Sequence, residues 1–465
     1  MHRSTRALVA ILLAGTCLAP TAASAADGRE AELMARLDKL EAEMSQLRAD
    51  LASARHEQAA AAEDARAAIA ATQDRTNETA DKLAVIESKP PPDGFKVGAA
   101  TIKLGGFVRV NTIASRWSDG DVTVGALGKE FYLPQQIPVG GGPGSQDLLV
   151  SARQTRISLG ATTPVDGKEL KGYIEFDFAL ATAPVGAQRA TNPYTPTLRR
   201  GFIQYGGLLI GQEWSTFQNV AVLPESTDFV GPLEGTVFNR QAQVRYTHRL
   251  SPTLQFSVAI ENPETEILLG SAASYTDIDD DIFPDAVGRL DWKPKVGDFS
   301  LAGIVRPLRV QDAGVRDSAV GWGVSAAGRV PFGLDQRHDF RFMVTYGHGI
   351  GRYLGLGYVA DAVLPAPGQG LSVVDNLAGF AAVKIGWTPR LRSTITGSYQ
   401  WAGYDDAIVI NPLANKAAWS GAANLFWTVV KGFDLGMEYR HGVREIVNGE
   451  TGSLDRLEFA AKYSF

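Results

Sequence analysis

Arginine is the charged residue type that stands out in the second part of the chain, where polar and apolar residues alternate. A guanidinium carries a permanent positive charge and binds carboxylates or phosphates through paired hydrogen bonds. A ladder of such groups along the wall of a water-filled pore would draw in anions. Ten residues are candidates for such a ladder: Arg109, Arg153, Arg156, Arg200, Arg240, Arg245, Arg289, Arg306, Arg341 and Arg440.

Carboxylates in the same alternating segments offer a second interpretation of these arginines. They could pair with the arginines and merely satisfy a polar interior. Five acids stand at suitable positions: Glu175, Asp177, Glu261, Asp291 and Glu438. For any single arginine both interpretations remain open, whereas the whole set favours a preference for anions.

Residues that could support catalysis or metal binding are scattered. The 6 histidines show no metal-ligand spacing. No serine lies in a strand-to-helix motif that would present a nucleophile. We therefore expect no enzyme and no cofactor. A formal net charge of −6 also argues against a general nucleic-acid binder.

The start of the chain indicates export. Residues 1–26 read as a signal peptide, with basic Arg3 and Arg6, a short apolar run, and small residues before a cleavage site at Ala25. Cys17 lies inside this run, and lipidation there is disfavoured by the Thr16 that precedes it. The mature chain would then contain no cysteine, which excludes a disulfide framework.

Two further segments precede the alternating region. Residues 27–88 are predicted to form a coiled coil, because apolar residues recur in steps of three and four. The seam begins at Leu33, Leu37, Leu40, Met44, Leu47 and Leu51. A single solvated helix is the alternative. Residues 89–100 contain three consecutive prolines and are predicted to be a linker.

Period-2 alternation dominates residues 101–465 and predicts sixteen antiparallel strands. Short links such as 206–207 alternate with long ones such as 218–236. An even strand number, tight turns at one end and long loops at the other are typical of an outer-membrane β-barrel. The fold class is therefore all-β, a sixteen-stranded transmembrane barrel preceded by a helical coiled coil. Both barrel termini would face the periplasm, which would also hold the coiled coil.

The last strand supports this assignment. Phe459, Tyr463 and Phe465 stand on one face, and the chain ends on the last of them. Such a strand is the form that outer-membrane proteins present to the barrel-assembly machinery. A soluble domain would avoid an exposed apolar edge of this kind. We expect this strand to close the barrel against Thr101 to Thr112.

The third long link, 218–236, stands where sixteen-stranded porins fold a loop into the pore. Its acids Glu225, Asp228 and Glu234 would then face a basic wall across a constriction. An ordinary surface loop is the alternative interpretation, and spacing alone does not choose between the two.

Several motifs resemble the DcaP-like family of trimeric outer-membrane porins. They include Gln212 to Phe217, Pro224-Glu225, Asp228-Phe229, and Phe238 to Tyr246. Glu213 stands at a position where the family often has Thr, which affects only local polarity. The resemblance covers the mature chain and is densest over 149–247.

The resemblance implies a homotrimer with one pore per protomer and passive uptake of small anionic solutes, such as dicarboxylates or aromatic acids. In the outer membrane the barrel would contact lipopolysaccharide and phospholipid. The alternatives are a structural or adhesin-type barrel with a plugged lumen and, less favoured, a membrane-embedded hydrolase.

Overall fold

A computed structural model describes residues 26–88, 94–181, 191–276, 278–312, 315–366 and 369–465. They divide into two compact units, one ending at Pro92 and one beginning at Asp93. The predicted signal peptide, residues 1–26, lies outside the described residues except for its last residue, as do residues 89–93 of the predicted linker.

The first unit contains one helix, Ala26–Ser88. Its predicted seam residues Leu37, Leu40, Met44, Leu47 and Leu51 are exposed in the single chain. The helix agrees with the sequence, and its association with other copies stays a prediction. Among the described residues, no helix is both long and apolar enough to cross a membrane.

The second unit is a barrel of antiparallel strands, which we number β1 to β16 in chain order. Their bounds are β1 Ala100–Asp119, β2 Pro143–Ser151 with Arg156–Val165, β3 Lys168–Asp177, β4 Thr197–Tyr205, β5 Leu208–Trp214, β6 Arg240–Arg249, β7 Leu254–Glu261, β8 Asp285–Trp292, β9 Asp298–Asp312, β10 Val315–Phe332, β11 His338–His348, β12 Asp375–Gly386, β13 Leu391–Gly403, β14 Asn415–Val430, β15 Phe433–Ile446 and β16 Thr451–Ser464.

The sheet closes on itself. Each strand pairs with its neighbours in sequence, and β16 pairs with β1 from Phe107↔Ser464 to Trp117↔Leu454. The sixteen-stranded barrel and its closing pair are therefore confirmed. The paired part of β1 is shifted a few residues beyond the predicted range of Thr101 to Thr112.

Two local features depart from the sequence prediction. The second strand is interrupted at residues 152–155, although both of its segments pair with β1. Within the predicted linker, Phe95–Val97 forms a short strand that pairs with the start of β1 through Phe95↔Ile102. The barrel sheet therefore begins before residue 101.

Tight turns lie at one end of the barrel. The hairpin between β2 and β3 turns at Asp166 and Gly167, whose φ angles are both positive, at 48° and 73° respectively. This conformation matches the twist of a two-residue hairpin and suits the Asp-Gly pair. Long loops lie at the opposite end, whereas the fifth and eighth loop-end links, residues 313–314 and 447–450, are short. The loops used below are loop 1 (120–142), loop 3 (215–239), loop 4 (262–284) and loop 6 (349–374).

The two faces of the wall differ in polarity. Leu148, Ile203, Val320 and Ile395 are exposed on the outer face, as expected where strands meet lipid. The inner face carries polar and charged residues together with apolar residues covered by loops. Phe459 and Tyr463 of β16 and Phe465, which follows it, are all exposed. Their exposure agrees with the predicted apolar face, and their role in assembly stays a prediction.

Candidate functional site

Loop 3 runs through the inside of the barrel. Arg289 of β8 donates to the carbonyl oxygen of Gln218 at 2.6 Å, and Arg341 of β11 donates to that of Leu223 at 2.5 Å. Further along, Arg109 of β1 donates to the carbonyl of Thr227. These strands stand at separate positions around the wall, so the loop must cross the lumen to reach them all.

Apolar packing covers part of the inner wall. Phe217, Val222 and Val237 of loop 3 pack with wall residues such as Ile304 and Met343, and with side chains of loop 6. A second buried cluster joins loop 3 to loop 1 through Leu233, Phe131 and Tyr132. Loops 1, 3 and 6 therefore form one packed body inside the wall.

The three acids of loop 3 are in different environments. Glu225 is partly accessible and accepts from Arg392 of β13, with Nη2 at 2.6 Å and Nε at 2.8 Å from its oxygens. Asp228 accepts from the backbone N–H of Tyr132 at 2.9 Å and is buried. Glu234 is also buried and accepts from the Ser398 hydroxyl at 2.7 Å.

The sequence prediction for this loop therefore needs a correction. Asp228 and Glu234 do not face open lumen, because both are buried and accept hydrogen bonds, Asp228 from loop 1 and Glu234 from Ser398 of β13. Only Glu225 is open to a passing solute, and its charge is matched by Arg392.

Arginines on β2 and β4 screen the carboxylates behind them. The side chains of Arg156 and Arg200 are 24% and 25% exposed, whereas those of Glu175 and Glu213 are 9% and 5% exposed. Arg200 makes two hydrogen bonds of 2.6 Å to Glu213. The two interpretations of the sequence therefore both apply here: the arginines are paired, yet they are the groups that reach the lumen.

Arg199 was missed by sequence reasoning. Strand alternation would turn it away from Arg200, but a bulge in the pairing of β3 with β4 places both on the inner side. Its Nε lies 3.0 Å from Glu175 and its Nη1 2.5 Å from Asp177. The sequence offers no local signal for this bulge. Arg392 could have been found, because it alternates with the polar residues Thr394, Thr396 and Ser398 of β13.

Three predicted pore-lining arginines are enclosed by the loops. Arg153, Arg306 and Arg440 are 1%, 0% and 2% exposed, so a solute in the lumen cannot reach them. Arg153 lies in the interruption of β2 and pairs with Glu130 of loop 1 at 3.1 Å. Arg440 pairs with Glu438 at 2.8 Å. They anchor loops to the wall instead of lining it.

The remaining predicted arginines are half-buried. Arg289 and Arg341 pair with Asp291 and Asp339 at 3.0 and 2.6 Å. Arg245 shares the inner face of β6 with Gln241 and Gln243, which bond to Tyr353 and Thr216 of the inner loops. Arg240 stacks on the Trp214 ring at 4.8 Å, and its buried Nη1 has no hydrogen-bond partner among the described residues. Arg109 contacts loop 3 as described above.

Within the described residues, no group of three or more His, Cys, Asp or Glu side chains is arranged to hold a metal ion. Many of the charged groups of the lumen are arginines in ion pairs with carboxylates, as at Arg156, Arg200 and Arg289. This arrangement can attract, orient and pass charged solutes.

Comparisons with known proteins agree with this geometry. Residues 100–465 match the family model described as DcaP outer membrane protein. The crystal structure of the outer membrane channel DcaP of Acinetobacter baumannii is similar, with a TM-score of 0.67 and 27% identity over 80% of this chain and 99% of that one. OmpT of Vibrio cholerae shares the fold, with a TM-score of 0.50 and 12% identity over 80% of this chain and 99% of that one. No curated protein sequence matches the chain. The chain belongs to the DcaP outer-membrane protein family.

Proposed function

We propose that this chain is a porin that lets small hydrophilic solutes diffuse passively across the outer membrane, with a preference for anions. The carrying observation is that Arg156 and Arg200 reach the lumen while their carboxylate partners stay behind them. A solute therefore meets guanidinium groups first. Because the pairs are fixed by several hydrogen bonds, the positive face persists without rearrangement.

The position of loop 3 supports a channel on the opposite side of the lumen. Hydrogen bonds and packing hold the loop to the wall at β8, β9, β11 and β13 to β15 and to Arg109 of β1. Arg156 and Arg200 instead contact their own and neighbouring strands. A path between loop 3 and the β2–β6 wall would be narrow and basic.

Dicarboxylates and aromatic acids are the solute classes that we propose, following the family resemblance. Arg156 and Arg200 lie on alternate strands on either side of Glu175, at 4.0 and 3.7 Å from its oxygens. Two guanidinium groups placed on either side of one carboxylate could each bind one carboxylate of the same solute. Aromatic rings next to them, such as Phe107 and Tyr173, would pack against a flat acid.

We also propose how the protein assembles and how it is oriented in the outer membrane. The protein would act as a homotrimer, with its loop end outward and its tight turns in the periplasm. The helix Ala26–Ser88 would then stand in the periplasm and associate as a coiled coil. Lipopolysaccharide and phospholipid would surround the outer face.

Current through the purified protein in a planar lipid bilayer tests this function. We expect stepwise, stable conductance and, in a KCl gradient, a reversal potential that reports chloride passing more easily than potassium. A plugged barrel would insert and carry no current, which would contradict the channel. A reversal potential of the opposite sign would contradict only the anion preference.

A further inference from the structure

Loops 4 and 6 are joined by a small sheet of their own. Ile267–Leu269 of loop 4 pairs in parallel with Ala362–Leu364 of loop 6. Each of these strands has one antiparallel neighbour within its own loop, Tyr275–Thr276 and Ser372–Val373. This parallel pair is short, and parallel pairing is slightly less stable per residue than antiparallel pairing.

Loop 6 in turn holds both ends of loop 3. The Phe238 N–H donates to the carbonyl of Tyr353 at 2.9 Å, and the Gly355 N–H donates to that of Thr236 at 3.2 Å. At the other end of loop 3, Glu261 accepts from the Thr216 N–H at 2.7 Å and is linked through Gln241 to the Tyr353 hydroxyl. A displacement of loop 6 would therefore break these contacts and loosen loop 3, which stays bonded to the wall by Arg289 and Arg341.

Arg306 of β9 organises the joint between loops 4 and 6. Its Nε lies 3.0 Å from Asp285, and its Nη1 lies 2.7 Å from Asp361. The second oxygen of Asp361 accepts from the Glu266 N–H at 3.0 Å. Arg306 is thus paired with two carboxylates. None of its hydrogen bonds to the described residues goes to the Glu266 carboxyl.

The Glu266 carboxyl lies at this joint, partly buried, with one oxygen unpaired within the described part of the chain. Its Oε2 is buried and makes no hydrogen bond with any described residue. The backbone of Gly357 on loop 6 packs so closely on it that a β-carbon there would lie 2.7 Å from Oε2. The charged and titratable groups around it are Asp361 and Arg352 on loop 6, Arg306 on β9, and Glu264 and Tyr275 on loop 4.

Burial, together with the nearby charge of Asp361, raises the pKa of Glu266 from 4.5 to about 8. In an opened joint the carboxyl would be hydrated, and its pKa would return toward 4.5. The closed joint therefore binds the proton more tightly, and its stability falls as pH rises from about 4.5 to about 8. Each pH unit in that window raises the opening constant by up to about tenfold.

We propose that Glu266 is a pH-sensitive latch between loops 4 and 6, which holds loop 3 in place when protonated and loosens it when ionised. In its charged form the carboxylate is repelled by the nearby charge of Asp361, and its buried Oε2 has no hydrogen-bond donor among the described residues. Parting of the short parallel strands brings water to the carboxylate and frees the contacts of Tyr353 and Gly355 with loop 3. Alkaline conditions thus widen or destabilise the constriction.

The latch rests on the proposed porin function, and bilayer recordings of the full-length protein at pH 5 to 9 test it. We expect the wild-type current to become larger or noisier with rising pH. The variant Glu266→Gln should keep its pH 5 behaviour up to pH 9. The control Asp406→Asn, which removes an exposed carboxylate that is not among the groups around Glu266, should respond like the wild type.

A cross-link provides a test that keeps the Glu266 side chain. Leu269 and Leu364 are register partners across the parallel pair, and the one native cysteine is Cys17. A disulfide between Leu269→Cys and Leu364→Cys should abolish the pH response, and a reducing agent should restore it. A current that is independent of pH in the wild type, or a pH response that survives in both Glu266→Gln and the oxidised double variant, would overturn the latch. Absence of any current would instead contradict the porin function.

Discussion

At the scale of single residues, the sign of the lumen depends on which member of each ion pair reaches water. The formal net charge of −6 describes the whole chain and gives no information about this surface. Glu175 and Asp177 lie behind Arg156, and Glu213 lies behind Arg200, so that the carboxylates orient the guanidinium groups. The proposed path is therefore basic although the whole protein is acidic.

Arg156→Gln should lower the chloride-to-potassium permeability ratio without disturbing the wall. Its partners Glu175 and Asp177 would stay paired with Arg199 at 3.0 and 2.5 Å. A unit charge about 8 Å from a passing ion in water contributes about 0.5 kcal/mol, with opposite signs for chloride and potassium, so removing it should lower the ratio by about fivefold. Reversal potentials in a KCl gradient measure this ratio.

The control for this variant is Arg249→Gln, at the exposed turn end of β6. It removes one positive charge outside the narrow path and should leave the chloride-to-potassium permeability ratio within error of the wild type. An equal effect of the two substitutions would show that Arg156 does not line the selective part of the pore.

Part of the lumen could be predicted from the sequence. Arg156 and Arg200 were identified because strand alternation alone places them on the inner face. Arg199 was missed, because a bulge reverses its direction and leaves no local trace. The burial of Arg306 was also beyond reach, since it depends on loops 4 and 6 that are far from it in sequence.

At the scale of elements, loop 3 is held in two distinct ways. The wall arginines Arg289 and Arg341 donate to its backbone carbonyls, contacts that do not depend on the loop's side chains. Asp228 instead uses its carboxylate to join loop 3 to loop 1, with bonds to the N–H groups of Tyr132 at 2.9 Å and Phe229 at 2.8 Å. This carboxylate therefore orients the loop within the lumen.

Asp228→Ala should loosen loop 3 and destabilise the barrel. Hydrogen bonds to a charged group contribute about 1.5–3 kcal/mol each, so we expect the free energy of unfolding to fall by about 3 kcal/mol. Urea unfolding followed by tryptophan fluorescence measures this loss, and bilayer recordings should show noisier current. Asp335→Ala, at an exposed turn carboxylate bonded to Arg337, should change neither.

The strands were predictable because lipid on one side and the lumen on the other impose a strict period of two. Inward folding of loop 3 was one of two open interpretations, and it depends on arginines from several distant strands. The interruption of β2 at residues 152–155 was not predicted. It turns Arg153 toward Glu130 of loop 1, a contact that no spacing along the chain reveals.

At the scale of the whole molecule, closure connects the two ends of the barrel sequence. β1 pairs with β2 on one side, and on its other side it finds a neighbour only when β16 is present. The pairs between β1 and β16 run from Phe107↔Ser464 to Trp117↔Leu454. Until then both strands are open edges, which are prone to wrong pairing. The last strand, β16, therefore completes the sheet that β1 begins.

The double substitution Phe459→Ala and Phe465→Ala should reduce the amount of folded barrel in the outer membrane. The rings of Phe459 in β16 and of Phe465, the residue after it, are both exposed, and the assembly machinery would meet them before closure. The control, the double substitution Phe256→Ala and Phe340→Ala, removes one exposed outer-face ring from β7 and one from β11 and so loses comparable lipid contact. Folded barrel in membrane fractions is measured by its heat-dependent mobility on gels. If the control lowers the yield as much as the loss of Phe459 and Phe465 does, these two rings act only through lipid contact and not as an assembly signal.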